Sequence, residues 1–378
     1  MHIVHYNLTT TTKVGGVETF VWNIAAQQAQ RGHRVTILGG AGPLRHFSPG
    51  VAVRTVPFID RDRFAVGPLR RAYAWRKLAE RLSMLPAAWP LLRDADLVHI
   101  HKPYDLPLAP LLARRGVPLV YHGHGEDFFR GDRQLMGWVP LLFSCSSYNA
   151  ATLRQRYGRE PIVVFNGVDT SLFQPQPADS TLRAALVGSG QFVVLLPGRM
   201  MPWKGHATAL QALQQLNNPA VRLVIVGDGE VRATLEQTTQ ALGIEDQVVF
   251  TGTIGHQLMP QYVAAADVVL GTSFASETFG MALAEAQACG IAVLASSWQG
   301  YDDVVRDQVT GRRFSAADPA SLAAVLGELL NDLGQRDRLG AAGHAHVGHN
   351  FTWQQIAARI ESGYEALPSY ERSGPREG

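Results

Sequence analysis

Cysteine is almost absent from this chain. Cys145 and Cys289 are the two in 378 residues, without a C-x-x-C pair or a disulfide framework. That scarcity excludes a disulfide-stapled scaffold and a cysteine-built zinc module, and makes a reduced, cytoplasmic setting the expectation. Net charge is scarce too. At +2 there is no domain-wide basic field, so nucleic acid is not an expected partner. Nowhere does the chain carry the roughly 18 consecutive apolar residues that cross a bilayer. The opening MHIVHYNL lacks a basic start and a long apolar run, and reads as a strand rather than a signal peptide. Lysine is the last scarcity, four among 34 Lys and Arg residues, which makes Lys204 conspicuous.

What is present is a globular chain. Hydrophobic residues make up 46% and charged residues 17%, against disorder, and the length suits two domains better than one core. His2–Asn7 reads as a strand running into the loop TTTTKVGGVETF. An amphipathic helix with Phe20, Ile24 and Ala25 on one side follows, then a strand at Val35–Leu38. Strand, glycine turn, helix, strand opens a Rossmann-like unit. Gly15 and Gly16 let backbone approach a ligand closely, although G-x-G-x-x-G is missing and a tight turn is the simpler reading.

Arg61–Arg93 interleaves Arg61, Arg63, Arg70, Arg71, Arg76, Lys77 and Arg81 with Phe64, Tyr73, Trp75, Leu78, Leu82 and Trp89. This suits a helix lying on an anionic lipid surface. An ordinary helix with solvated arginines and an apolar core side fits the same pattern. Asp96–His101 is a buried strand ending in histidine, and Val117–Tyr121 is another, running into His122-Gly123-His124. Positions i and i+2 of an extended run face one way, so His122 and His124 could both address a cleft. No third metal ligand stands at a credible spacing. A histidine satisfied at the sheet edge is the alternative.

Residues 176–190, rich in Pro, Ala, Ser and Gly, read as a linker. Phe192–Leu196 is then an apolar strand, followed by a loop carrying Arg199 and Lys204. Two such cations can neutralise a diphosphate, Arg by forked hydrogen bonds and Lys as a point charge. Strands at Leu223–Val226 and Val248–Gly252 lead to the buried strand ending at Gly271, and then to SFASETFGMALAEAQACG, Ser273–Gly290. Glu277 falls in a strand-to-helix loop, and Glu285 more than a turn inside the helix. From Gly280 to Glu285 the helix rises roughly 7 Å. Unpaired first-turn N–H groups lie between the two carboxylates and attract an anion. A nucleotide-sugar has hydroxyls at both ends and phosphates between. A plain helix start with an acidic residue is the alternative. His344, His346 and His349 read as surface residues, since their spacing does not converge on one helical face.

The run Glu277-x-Phe279-Gly280-x-x-x-x-Glu285 resembles the E-x7-E signature of retaining GT-B glycosyltransferases of family 4. The resemblance covers nearly the whole chain and implies an α/β fold of two Rossmann-like domains whose parallel sheets face an interdomain cleft. It assigns Glu277 to hydroxyls of the donor sugar and Glu285 to the ribose. It places the Gly15-Gly16 loop against the donor diphosphate and His122 near the reacting centre, with His124 able to substitute. Arg199 and Lys204 match the pattern G-R-x-x-x-x-K-G. The loop Gln299–Val305 departs from the usual G-G-x-P-E-V-V: Asp303 stands where Glu is usual, and the Pro is absent.

The catalytic candidates are thus Arg199, Lys204, Glu277 and His122. Gly15, Gly16, Phe279, Gly280, Met281 and Glu285 are expected at the donor, with His124 and Asp303 as further candidates. The implied division is an acceptor domain over 1–175, a linker over 176–190 and a donor domain over 191–350. A helix over 351–368 returns to the first domain, and a disordered tail covers 369–378. The expected reaction moves a sugar, with retention, from a nucleoside diphosphate sugar (UDP or GDP) to a hydroxyl acceptor in glycan or glycolipid synthesis. No cofactor is expected, and no metal either, since no carboxylate cluster of D-x-D type is placed to hold one. The acceptor is expected to be glycan or lipid-linked, with peripheral contact to the inner face of an anionic membrane. A small soluble acceptor, a GT-B nucleotide-sugar epimerase, a glycoside hydrolase and a silent sugar-nucleotide sensor are the competing readings.

Overall fold

The computed structural model describes residues 1–13, 15–43, 48–188 and 190–367, and strand alternates with helix through both halves. The chain divides into two units: Met1–Asn166 together with the segment from Trp353 onward, and Gly167–Thr352. The tail over 369–378 lies outside the described residues.

The first unit holds a sheet of seven strands: β1 (His2–Tyr6), β2 (Arg34–Gly40), β3 (Val51–Val56), β4 (Leu97–Ile100), β5 (Leu119–Gly123), β6 (Leu141–Ser144) and β7 (Ile162–Val163). Their order is β3-β2-β1-β4-β5-β6-β7, every pairing parallel. The second unit holds β8 (Phe192–Pro197), β9 (Val221–Val226), β10 (Val248–Gly252), β11 (Val268–Gly271), β12 (Val293–Ser296) and β13 (Arg312–Phe314). The order β10-β9-β8-β11-β12-β13 is again wholly parallel. Runs such as FVVLLP and VRLVIV suit such sheets, because helices cover both faces and no polar side is needed.

In each sheet the strand order reverses beside the first strand, between β1 and β4 and between β8 and β11. Loops leaving the carboxyl ends of those strands part in opposite directions and open a crevice, where ligands of such sheets bind.

One face of the first sheet packs Val4, Tyr6, Val98, Ile100 and Tyr121 against helices Leu85–Arg93, Leu108–Ala113 and Ser147–Tyr157. The opposite face packs Ile3, Leu97, Val120 and Phe143 under helices Gly16–Gln30 and Trp353–Glu365. The last helix repeats its apolar residues at Trp353, Ile356, Ala357, Ile360 and Tyr364, all buried, the spacing of a stripe facing a core.

Four readings of the sequence change. The stretch over 176–190 contains a helix, Ser180–Val187, started by the Asp179 carboxylate accepting from the Leu182 N–H at 2.7 Å. Strand β3 was not expected, because Arg54 and Thr55 interrupt its apolar run; it sits at the sheet edge, where one side meets water. His346 is buried at 8% exposed and its Nε2 lies 2.9 Å from the Asp303 carbonyl oxygen, so it is not a surface residue. Arg61–Arg93 is not one helix but two short 3-10 turns and the helices Tyr73–Ser83 and Leu85–Arg93.

Candidate active site

In the second unit the loops after β8 and β11 bring Lys204 and Glu277 to one crevice. Lys204 ends a single 3-10 turn, Pro202–Lys204, and its backbone is tied to the other loop: the Thr272 hydroxyl donates to the Lys204 carbonyl at 2.6 Å. Gly205 follows at φ +70, and a Cβ there would meet the Thr272 carbonyl oxygen at 2.1 Å. Only glycine allows that closeness. Lys204 Nζ then reaches Glu277 Oε2 at 2.5 Å. The other carboxylate oxygen, Oε1, accepts from the backbone N–H of Gly280 at 3.2 Å and of Phe279 at 3.5 Å.

Glu277 therefore holds the turn that enters the helix Met281–Ala288 with one oxygen and Lys204 with the other. Burial pushes its carboxyl up, but Lys204 and the two N–H groups outweigh this and hold it below the ordinary carboxylate range. Both of these N–H groups precede the helix, which starts at Met281. Gly280 stands at φ +90, and a Cβ would lie 2.6 Å from the Tyr301 ring. Tyr301 in turn donates to Ser273 Oγ at 2.8 Å, and the Trp298 indole donates to the Glu277 carbonyl at 2.8 Å. The departing loop around Asp303 is in this way packed on the Glu277 segment from behind, while Asp303 itself is half-buried.

The remaining donor candidates fall into place unequally. Arg199 is exposed and makes no ion pair among the described residues, so its guanidinium is available to a ligand. Phe279 is buried edge-on against Phe351 at 5.2 Å, a core contact. Met281 is half-buried at the helix start. Glu285 is mostly buried and meets His256 Nε2 at 3.1 Å. The hydrogen bond to Glu285 raises the His256 pKa against a smaller effect of burial. His256 was not among the sequence candidates: it lies on a 3-10 turn, His256–Leu258, and only the fold brings it to Glu285.

In the first unit, Gly16 begins the helix Gly16–Gln30, and a Cβ added there would meet nothing within 4 Å. Gly15 is extended, and a Cβ would lie 2.6 Å from the Glu18 carboxylate. His122 is wholly buried, edge-on to Phe20 at 4.5 Å, and neither ring nitrogen has a hydrogen-bond partner. His124 stacks on it at 4.2 Å and is half-buried, so of the two it is the one that reaches the surface. Burial lowers the pKa of both rings, helped by the His124 imidazole at His122 and by the Lys102 ammonium at His124.

A cavity of about 320 Å³ opens at the crevice between β1 and β4. Five cations line it, Lys13, Arg61, Lys77, Arg81 and Lys102, against the carboxylates Asp60, Glu80 and Asp127. Lys77 pairs with Asp127 at 2.5 Å, and Tyr104 donates to the same carboxylate at 2.9 Å. Arg81 is ion-paired with buried Asp105 and donates to Asn7 Oδ1 at 3.2 Å. Burial beside Arg81 pulls the Lys102 ammonium below its usual range. The four lysines of the chain are divided between the two crevices, Lys204 at one and Lys13, Lys77 and Lys102 at the other.

The basic residues read as a lipid-facing set are partly consumed inside the fold. Arg76 pairs with Asp62, Lys77 with Asp127 and Arg81 with Asp105, and Trp89 packs on the core. Trp75, Tyr73 and Leu82 remain exposed, at 52%, 48% and 42%. Among the described residues no helix is long and apolar enough to cross a membrane.

Sequence profiles match in the same two halves. Residues 14–172 match Glycosyltransferase Family 4, and residues 180–346 match Glycosyl transferases group 1. D-inositol 3-phosphate glycosyltransferase of Xylanimonas cellulosilytica is 30% identical over 93% of this chain and 91% of its own length. D-inositol 3-phosphate glycosyltransferase 1 of Catenulispora acidiphila is 31% identical over 96% of this chain and 93% of its own length. Among solved structures, Anabaena HepE in complex with UDP and glucose superposes with TM-score 0.78 at 24% identity, over 97% of this chain and all of that one. Sucrose-phosphate synthase from Thermosynechococcus elongatus gives TM-score 0.80 at 20% identity, over 98% of this chain. These last two speak for the fold. The chain belongs to the GT-B glycosyltransferases, of the family 4 type.

Proposed function

We propose that this glycosyltransferase moves a sugar, with retention, from a nucleoside diphosphate sugar to a hydroxyl of a small anionic acceptor, and that phosphorylated polyols are the acceptor class. The observation that carries the acceptor half is the cavity between β1 and β4, walled by Lys13, Arg61, Lys77 and Lys102. A phosphate meets charge there, and Asp127 and Glu80 can accept from polyol hydroxyls. The relatives' name, D-inositol 3-phosphate glycosyltransferase, points to the same chemistry. UDP is the expected nucleotide, as in the complex of Anabaena HepE.

The chemical step breaks the bond between the anomeric carbon and the diphosphate and forms one to the acceptor oxygen, whose proton leaves with the departing diphosphate. Its barrier falls as charge on the diphosphate is met by fixed cations. Lys204 has three N–H donors and Glu277 uses one, so it can hold a phosphate oxygen without leaving its partner. Arg199 adds a planar fork from the same loop. Glu277 holds Lys204 and offers its carboxylate to the sugar hydroxyls. Glu285, once freed of His256, takes the ribose. These side chains supply the charge themselves, and the expectation stays that no metal is needed for the transfer.

The test pairs UDP-, GDP- and ADP-sugars with inositol phosphates and with the unphosphorylated polyols. Product formed only with a phosphorylated acceptor, and lost on Lys77→Ala or Lys102→Ala, supports the reading. Equal turnover with neutral polyols overturns the acceptor class, and a converted donor without any acceptor selects an epimerase. One observation favours a second reading, a lipid-linked or glycan acceptor at an anionic membrane: Trp75, Tyr73 and Leu82 are exposed, and Arg61, which lies over the Tyr73 ring, Arg63, Arg70 and Arg71 make no ion pair among the described residues. Salt-sensitive binding to anionic vesicles together with transfer to a lipid carrier would select it.

A further inference from the structure

We propose that His5, His99 and His101 form a three-imidazole site for a divalent transition ion of the zinc class, set inside the first unit. It is a structural site, separate from the transfer chemistry and independent of the function argued above. Strands β1 and β4 pair in parallel with His5 beside His99. His101 follows two residues on, so all three imidazoles lie on one face of the sheet. That face is covered by helices Gly16–Gln30 and Trp353–Glu365, and the histidines replace hydrocarbon towards its carboxyl edge: Ile3 then His5, Leu97 then His99.

One ring nitrogen from each of the three lies within 4.8 Å of the other two. The His5 Nδ1 to His101 Nε2 distance is 3.1 Å. Two nitrogens held at about 2.0–2.1 Å by one tetrahedral ion stand about 3.3 Å apart, so this pair already has the needed spacing. The opposite nitrogens meet outer partners: His5 Nε2 faces Gln28 Oε1 at 2.7 Å, His101 Nδ1 faces His124 Nε2 at 3.2 Å, and His99 Nδ1 faces the Tyr364 hydroxyl at 2.7 Å. Metal-binding histidines are typically held through their second nitrogen in this manner.

The remaining nitrogen, His99 Nε2, is buried with no hydrogen-bond partner. Such a group costs stability unless something meets it, and an ion shared with His5 and His101 does. A set of imidazoles without carboxylate selects zinc, cobalt, nickel or copper over magnesium or calcium. The cluster is invisible to spacing rules because His5 and His101 are 96 residues apart, whereas sequence motifs for zinc keep their ligands close.

With exposures of 0%, 0% and 1% for His5, His99 and His101, the ion is taken up as the unit folds. The experiment therefore unfolds the full chain in denaturant with chelator, refolds it with Zn²⁺ or Mg²⁺, removes free metal and counts bound metal by elemental analysis. About one Zn²⁺ and no Mg²⁺ per chain is expected, with release on unfolding read by a chromogenic chelator. His99→Asn and His101→Gln should retain less than a tenth of that, while His346→Asn, a buried histidine of the second unit, retains all of it. Should the cluster variants fail to refold, Co²⁺ in the unaltered chain gives the readout: intense visible bands of four-coordinate cobalt, three imidazoles with one water or hydroxide, are expected. Less than a tenth of an equivalent of zinc after refolding, zinc content unchanged in His99→Asn, or a six-coordinate cobalt spectrum would each overturn the site.

Discussion

Replacing Lys204 by alanine separates two consequences of one ion pair. Lys204 and Glu277 side chains are 25% and 18% exposed, between a surface pair worth at most about 1 kcal/mol and a buried pair whose breakage costs about 3–5 kcal/mol. Glu277 also keeps its bonds from Gly280 and Phe279. A loss of about 1–3 kcal/mol at neutral pH is therefore expected, at about 2–4 °C of melting temperature per kcal/mol. Turnover should fall further, by about a hundredfold or about 2.7 kcal/mol of barrier, because a charge partner of the departing diphosphate is gone.

The pH dependence identifies the cause. In the unaltered chain Glu277 is held below its ordinary carboxylate range, so it adds stability above that range and loses it as pH falls through the folded value. Without Lys204, burial is the largest remaining influence on Glu277, and its folded pKa rises. The variant then carries a penalty at pH 7 that protonation relieves in acid. The melting-temperature gap between the two proteins should be widest near neutrality and narrow below about pH 4.5. Scanning calorimetry at several pH values measures it. A gap that is constant from neutral to acid pH refutes the coupling to Glu277, and a variant turning over within threefold of the unaltered chain at saturating donor refutes the diphosphate role.

Arg199→Ala should cut turnover by about a hundredfold while the melting temperature stays within about 1 °C, since the side chain is exposed and unpaired; equal losses of both would show a structural role instead. Glu285→Gln should weaken UDP binding about tenfold through loss of charge-assisted bonds to the ribose, with acceptor KM unchanged, as measured by titration calorimetry and initial rates. His256, whose pKa is raised by Glu285, stabilises the fold below its unfolded value near 6.5 and loses that contribution as pH rises through the folded value. Its imidazolium also occupies the Glu285 carboxylate, so UDP affinity should rise across the same window in the unaltered chain and be flat in His256→Asn. A pH-independent UDP affinity in both proteins would disconnect the pair from the nucleotide.

What the residues disclosed on their own follows a physical rule. Parallel strands buried on both faces announce themselves as β-branched runs, so β8, β9 and β11 are legible from VVLL, LVIV and VVLG. Glycine-marked loops after those strands are legible too, because Gly205 and Gly280 are demanded by local backbone and close approach. Edge strand β3 and the helix Ser180–Val187 were hidden, since neither is apolar on both sides. What spacing cannot carry is partnership across the sheet. The pairing of Glu277 with Lys204 joins residues 73 apart, that of His256 with Glu285 residues 29 apart, and no local pattern contains either.

The histidines make the same point from the opposite direction. His122-x-His124 invites a reading from alternation alone, two rings on one side of a strand. Alternation is correct but incomplete, because it does not say which side is roofed. Phe20 from the helix Gly16–Gln30 covers His122, and only the later ring reaches the surface. The next strands supply more imidazoles to the same roofed layer: His99 stacks on His101 at 4.6 Å and on His122 at 5.7 Å. The sequence reading takes His122 and His124, one at a time, as candidates for the reaction. In the fold His5, His99, His101, His122 and His124 face one another, so together they form a stacked floor. His124 is its outward end, held by His101 Nδ1 at 3.2 Å. Its position is thereby tied to the carboxyl ends of β4 and β5, the edge of the sheet on which the crevice between β1 and β4 opens.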